Sequence, residues 1–268
     1  MSFYADYHVH TSFSGDCNAS MESMIKRAIS LGLKELAFTD HVDFDYPDPS
    51  FEAINYDIYT KVFEQLKKRY QKQIHLVLGV EVGYQPHVRS AIEKLLQDYP
   101  FDFVICSTHM ADHLDFYTGD FFKEKEQKEA YLRYFENILE AVKQFHNYDV
   151  YGHLDFIVRY GNFPEKTLSY ADYKDIIDEI LVRIIANGSG IEINTSGYRY
   201  KLNQLHPQAS IVKRYRELGG EIITIGSDAH RAEDIASYFN TAYTLLKELD
   251  IKYIATYRGR KPHMIKIV

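Results

Sequence analysis

Leu76-Val77-Leu78-Gly79-Val80-Glu81-Val82-Gly83 is an apolar run of strand length that carries one carboxylate near its end. A charged group there is costly to bury unless it is paired or coordinated. Six other apolar runs recur along the chain, and ligand-type residues follow nearly all of them. His8-Val9-His10 follows the first and Thr39-Asp40-His41 the second. Farther on come Ser107-Thr108-His109, Gly152-His153-Leu154-Asp155 and Asp228-Ala229-His230. One such residue after one strand carries little information. Recurrence at the same place in repeat after repeat predicts a single inward-facing metal cluster.

Working outward, strands are expected over residues 3–8, 35–39, 74–80, 101–106, 149–152, 190–193 and 221–225. Helical patterns separate them. Residues 57–70 place Ile58, Val62, Leu66 and Tyr70 at four-residue steps. Residues 124–145 align Tyr131, Phe135, Ile138, Val142 and Phe145, and residues 170–186 align Tyr173, Ile177, Ile180 and Ile184. Strands alternating with helices indicate parallel βαβ units, and seven cycles predict an α/β barrel. Loops after the strands build the site in such barrels, which is where the ligand-type residues fall. No linker or low-complexity tract interrupts residues 1–268, so one domain is expected. Residues 252–268 leave open an eighth strand or a terminal tail.

Three longer connections, 42–50, 110–122 and 159–168, follow ligand-bearing strands and are expected to shape a substrate pocket. Asp43, Phe44, Asp45, Tyr46, Asp115, Phe116 and Tyr117 in them suit a cationic or heteroaromatic group.

The 268 residues are 46% hydrophobic and 26% charged, ordinary for a globular enzyme, and no run is long and apolar enough for a membrane helix. The first residues carry no secretory signal pattern. Two cysteines, Cys17 and Cys106, are too few for a disulfide framework, which fits a reducing cytoplasmic setting. A net charge of −7, spread without a long acidic or basic run, argues against nucleic acid as a partner, since that normally needs a basic face. A small anionic substrate would need locally placed Arg, Lys or metal charge.

His8 and His10, two apart on a strand end, point the same way with Cα atoms about 6.5–7 Å apart, which allows convergence on one ion. Asp228 and His230 repeat that spacing on the last strand. Asp40 and His41 are adjacent and face opposite ways, so His41 is the expected ligand and Asp40 orients a neighbour. Glu81 has two oxygens and can bridge ions; its competing role is a salt bridge. Nine ligand-type residues, His8, His10, Asp40, His41, Glu81, His109, His153, Asp228 and His230, overfill one coordination sphere. Two or three ions are therefore expected, and mixed His and carboxylate donors suit Zn, Fe or Mn. Two ions about 3.5–4 Å apart can clamp the attacking and leaving oxygens of an in-line displacement, which points to hydrolysis of phosphate esters. His75, His87, His113, His146, His206 and His263 receive no role, although His113 lies in a pocket loop. Cys17 lacks a neighbouring base and reads as incidental.

Together these motifs resemble the polymerase-and-histidinol-phosphatase (PHP) superfamily, in order and over nearly the whole chain. The resemblance implies a distorted seven-stranded (β/α) barrel with a trinuclear site. His8, His10, Glu81 and Asp228 would hold one ion, Glu81, His109 and His153 a second, and Asp16, His41 and His230 the third. Some members carry histidine at the position of Asp16. A stand-alone chain with long loops is similar to the members that hydrolyse L-histidinol phosphate in histidine biosynthesis. That likeness implies catalytic roles for Glu81, Asp228 and His230, with Asp228 shuttling a proton and His230 or His41 as acid. Arg159, Ser196, Arg199 and His41 are the candidate substrate contacts. The competing readings are a nucleotide or phosphotyrosine phosphatase of the same superfamily and a non-catalytic metal-binding module. A metal-dependent amidohydrolase fits less well, because the corresponding strand ends Cys106-Ser107-Thr108-His109 where a bridging lysine would stand.

Overall fold

The computed structural model describes residues 3–48, 51 and 54–267. The strands are β1 (Ala5–Asp6), β2 (Glu35–Phe38), β3 (His41–Val42), β4 (His75–Gly83), β5 (Phe103–Ser107), β6 (Met110–Ala111), β7 (Leu114–Asp115), β8 (Val150–Tyr151), β9 (Gly190–Asn194), β10 (Ile223–Gly226), β11 (Tyr253–Arg258) and β12 (Lys261–Lys266). The helices are α1 (Met21–Ser30), α2 (Tyr56–Tyr70), α3 (Arg89–Asp98), α4 (Gln127–Gln144), α5 (Lys174–Ala186), α6 (Ala209–Glu217) and α7 (Phe239–Glu248).

Seven parallel strands run in the order β1-β2-β4-β5-β8-β9-β10. The first and last then meet. Tyr7 N–H donates to Ile225 O at 2.9 Å, His10 N–H to Ala229 O at 3.0 Å, and Val9 bridges Ala229 in parallel. Asp6 fastens this seam, accepting from Ser227 N–H at 2.9 Å, Ser227 Oγ at 2.5 Å and Ala236 N–H at 2.9 Å. The result is a nearly closed seven-stranded α/β barrel. All seven expected strands occur; the first is shorter than expected, because past Asp6 the pairing gives way to the ligand-bearing turn.

Period-two alternation sorts each strand between two environments. On β4, Leu76, Leu78, Val80 and Val82 join the core under the helices, whereas Val77 belongs to a small apolar cluster inside the barrel. Tyr131, Phe135, Ile138 and Val142 of α4 are buried, as are Ile177, Ile180 and Ile184 of α5. Helix α2 buries Leu66 and Tyr70 as expected and packs Val62 against the core, but its first turn is shifted: Ile58 is 51% exposed, while Tyr59 and Phe63 are fully buried. Aromatic side chains there outweighed the aliphatic spacing. The loop at 110–122 contains the short β6–β7 hairpin, and His41–Val42 adds a two-residue strand beside Glu81 and Val82. Of the expected loop at 42–50, residues 49 and 50 lie outside the described residues. No helix among the described residues is long and apolar enough to cross a membrane.

The C-terminal segment is neither an eighth barrel strand nor a free tail. β11 and β12 form an antiparallel hairpin that seals the barrel floor. Ala255 and Tyr257 pack with Ala5, Tyr7, Ala37, Val77, Phe103 and Val150. Tyr257 N–H reaches Tyr7 Oη at 2.6 Å, and Arg258 pairs with the buried Glu35. Replacing Tyr257 by Ala is expected to cost about 3–5 kcal/mol of stability through the cavity left behind. Denaturant titration reads that loss, and an unchanged midpoint would show that the hairpin does not support the barrel.

Candidate active site and metal centre

At the opposite end, Glu81 ends the inward face of β4 at 1% exposure. Five imidazoles surround its carboxylate. His8, His10 and His41 lie 3.2, 3.6 and 3.1 Å from Oε2, and His109 and His153 lie 3.2 and 2.8 Å from Oε1. Asp228 extends the cluster, with Oδ1 3.4 Å from His10 and 3.5 Å from His230. Asp16 closes it, 3.1 Å from His230 and 3.7 Å from His41. All nine residues that the family resemblance assigns to metal thus converge in one place.

The donor set fits metal ions. Nε2 of His8, His10 and His230 and Nδ1 of His41 and His153 are buried without a hydrogen-bond partner, a costly arrangement unless a further group engages them. Four groups bring three ligand atoms within 4.8 Å of one another: His8/Glu81/His153, His8/His10/Asp228, His41/Glu81/His109 and His10/His41/His230. Glu81 appears in two of them, and each of its oxygens has imidazoles of both groups beside it, so the carboxylate is placed to serve more than one ion.

The electrostatics point the same way. Burial disfavours charge on His109, yet Asp43 and Glu81 outweigh it and raise its pKa to about 10. His8 and His41 are raised by their carboxylates against burial, and His230 by Asp16. His10 goes the other way, lowered to about 3 by burial and by His230 and His41 beside it. Glu81 and Asp228 are buried, and the surrounding imidazoles hold both well below the usual carboxylate range. Protonated imidazoles therefore supply the positive charge that bound cations would replace.

A cavity of about 590 Å³ opens on this cluster. Its walls include His41, Glu81, His109, His153 and Asp228, then Tyr46, Phe51, Phe116, Phe156 and Arg159. A PHP domain model matches residues 6–196, which covers most of the barrel and its ligands. The chain belongs to the PHP family. It is 33% identical over 258 residues to a histidinol-phosphatase of Lactococcus lactis, covering 96% of this chain and 95% of that one. It also superposes on the crystal structure of L. lactis histidinol phosphate phosphatase complexed with Zn, L-histidinol and phosphate. That match has a TM-score of 0.92 at 32% identity, covering 97% of this chain and 98% of the other.

Several partners of this PHP site escaped the sequence reading. Glu192, on an apolar strand just as Glu81 is, accepts from His8 Nδ1 at 2.6 Å and from His153 N–H at 3.1 Å. A lone carboxylate in Gly190-Ile191-Glu192-Ile193 was the available signal. Gly226 has to lack a side chain, because a Cβ there would strike both Glu192 and His8. Asp43 lines the cavity and also lies 2.9 Å from His109 Nδ1 and 3.3 Å from His41 Nδ1. Asp40 does orient a neighbour: it accepts from Ser14 Oγ at 2.8 Å, and Ser14 Oγ lies 3.1 Å from His10 Nδ1.

Asp115 is less available for a substrate ammonium than expected. Its carboxylate takes Tyr46 Oη at 2.9 Å and the backbone N–H groups of Tyr117 and Thr118, each at 3.0 Å. Arg199 donates to the carbonyls of Ser227 and Asp228, both at 2.6 Å, and so braces the loop that presents Asp228. Ser196 is fully buried with its hydroxyl unpartnered. Neither residue lines the cavity, whereas Arg159 does, its guanidinium 3.2 Å over the Tyr200 ring.

Glu192→Gln is expected to weaken metal binding by about 10–100-fold, since a ligand's hydrogen-bond partner fixes its orientation and basicity. Competition against a chelator of known affinity measures this, and unchanged affinity would remove Glu192 from the centre. Ion binding at neutral pH is further expected to expel protons from His8, His41 and His109, so affinity falls as pH falls. In the metal-free protein the sign differs: His109 contributes stability below about 6.5 that is lost as pH rises toward about 10. Calorimetry of zinc binding in buffers of different ionisation enthalpy tests the proton release, and no buffer dependence would refute it.

Proposed function

We propose that this chain is a metal-dependent phosphomonoesterase that hydrolyses L-histidinol phosphate to L-histidinol and phosphate. The observation that carries this reading is the cavity, whose floor is the His/carboxylate cluster and whose wall holds an arginine among aromatic rings. The L. lactis relative, with zinc, L-histidinol and phosphate in its crystal structure, is matched over 97% of this chain. Residues 1–268 would act as one PHP-type barrel domain in histidine biosynthesis, in a cytoplasmic setting that keeps the buried Cys17 and Cys106 as free thiols.

Three ions fit the donor count. His8, His10, Glu81 and Asp228 would hold the first, Glu81, His109 and His153 the second, and Asp16, His41 and His230 the third. When bound, such ions supply Lewis-acid activation of water and neutralise charge on phosphate. The chain itself does the rest. Arg159, steadied by Tyr200, Phe156 and Tyr160, presents a planar fork to phosphate oxygens. Ser196 and Arg199 lie outside the cavity; Arg199, committed to the Ser227 and Asp228 carbonyls, would act by keeping Asp228 in place and not by touching phosphate. Asp228 Oδ1, placed between His10 and His230, can hold a proton in transit, and His230 or His41 can deliver one to the departing alcohol. Aromatic walls (Phe51, Phe156, Tyr160) offer faces for an imidazole ring, and the walls also carry Asp16 and Asp48.

Arg159→Ala is expected to lower kcat/KM roughly ten- to a hundredfold, mainly through KM, as a charged hydrogen-bonding group is lost from the substrate site. Unchanged kcat/KM would make Arg159 structural. For specificity, kcat/KM for L-histidinol phosphate is expected to exceed that for a simple aryl phosphate and for nucleotides. Equality, or a better nucleotide, would move the chain to another phosphatase activity. Chelation is expected to abolish phosphate release, and elemental analysis finding less than one ion per active chain would refute the multinuclear centre.

A further inference from the structure

The segments that bring His41, Glu81 and His109 to the core converge a second time at the rim. Four, six and four residues farther on they present Asp45, His87 and His113. One ligand atom from each lies within 4.8 Å of the other two. His87 Nε2 is 2.9 Å from Asp45 Oδ2, and the imidazole centroids of His87 and His113 are 4.3 Å apart. All three side chains are exposed.

Each is held by well-defined backbone. His87 is the middle residue of a one-turn 3-10 helix, Pro86–Val88. Asp45 and His113 both adopt left-handed conformations, with φ of 60° and 61°, as does Asp112 with φ of 54°. Such conformations are uncommon outside glycine and are sustained here by specific contacts. Arg133 grips Asp112 through two hydrogen bonds of 2.9 and 2.5 Å, which fixes the tip of the β6–β7 hairpin that carries His113. A surface His–Asp ion pair would account for Asp45 and His87, but not for a second imidazole brought against the first.

We propose that Asp45, His87 and His113 form a rim metal site, separate from the core cluster, that takes one zinc-class transition ion with solvent completing its coordination. Two imidazoles and one carboxylate suit zinc, copper or nickel rather than calcium or magnesium, which favour oxygen-only sets. Ligands about 2.0–2.2 Å from an ion require only small movements of exposed side chains that already lie this close.

The site has a consequence for the cavity. Asp45 immediately precedes Tyr46, and His113 lies two residues before Asp115. Tyr46 Oη donates to Asp115 Oδ1 at 2.9 Å, and both residues line the cavity. An ion at the rim ties together the two loops that make this wall, on either side of that hydrogen bond. Its occupancy therefore acts on substrate binding, through KM, and leaves kcat in place. This consequence rests on the phosphatase reading; the binding of the ion does not.

The test titrates zinc into the metal-loaded protein and into its His87→Gln/His113→Gln variant, with equilibrium dialysis and elemental analysis as the readout. Wild type is expected to bind one more zinc per chain than the variant, and Asp45→Asn is expected to lose the same ion. Excess zinc should raise the Tm of wild type and not that of the double variant, while the two share one Tm before zinc is added. Equal zinc content with equal Tm shifts overturns the site. With the extra ion lost, a KM that responds to zinc in wild type alone supports the coupling to the cavity. A KM indifferent to zinc in both overturns the coupling and leaves the site standing. The stoichiometry is read without turnover, so it decides the site even if histidinol phosphate is not the substrate.

Discussion

The carboxylate of Glu81 is buried at the mouth of the barrel within 3.6 Å of five imidazoles, and the rest of the structure accommodates that charge. A carboxylate out of water needs cations or donors close by. The barrel supplies them by pointing one or two ligand residues inward from the end of nearly every strand. Three of the histidines are in turn aimed by an acceptor: Glu192 behind His8, Ser14 and Asp40 behind His10, Asp43 behind His109. Removing a single member leaves others unpaired, so the centre behaves as a unit in which individual contributions do not add.

Two ends of one barrel have opposite chemistries. The floor is apolar and aromatic, closed by the C-terminal hairpin and pinned at its edge by Arg258 with Glu35 and Arg260 with Asp149. The mouth is polar, with nitrogen atoms held in reserve. That division lets the floor carry stability while the mouth stores unsatisfied donors, an arrangement that would destabilise a site left to stand alone. Asp6 belongs to both halves, because the seam it fastens is the one that sets His8 and His10 beside Asp228.

Substrate selection falls to the loops, and their carboxylates are largely committed. Asp43 aims His109, and Asp115 organises its own turn and receives Tyr46. What these loops offer a ligand is chiefly shape, aromatic surface and the fork of Arg159. The rim triad proposed above would act on that shape, since it lies on the same loops a few residues beyond the core ligands.

Local sequence determined a good deal of this. Period-two strands and ligand-type residues at their ends placed all seven barrel strands and eight members of the central cluster, because strand alternation and strand termini are local properties; Asp16, in the loop after His10, came only from the family resemblance. The helical face of α4 was legible for the same reason, since one apolar stripe dominates it. The face of α2 was legible in Leu66 and Tyr70 but not at Ile58, because Tyr59 and Phe63 compete with it, and only packing against the barrel decides between them. Glu192, Asp6 and Gly226 meet partners tens to hundreds of positions away, as Asp43 does in His109, so the sequence near them does not identify that partner. The tail became a floor for a related reason: Tyr257 has no local cause to meet Tyr7 and Phe103, and only closure of the barrel creates the apolar opening that it fills.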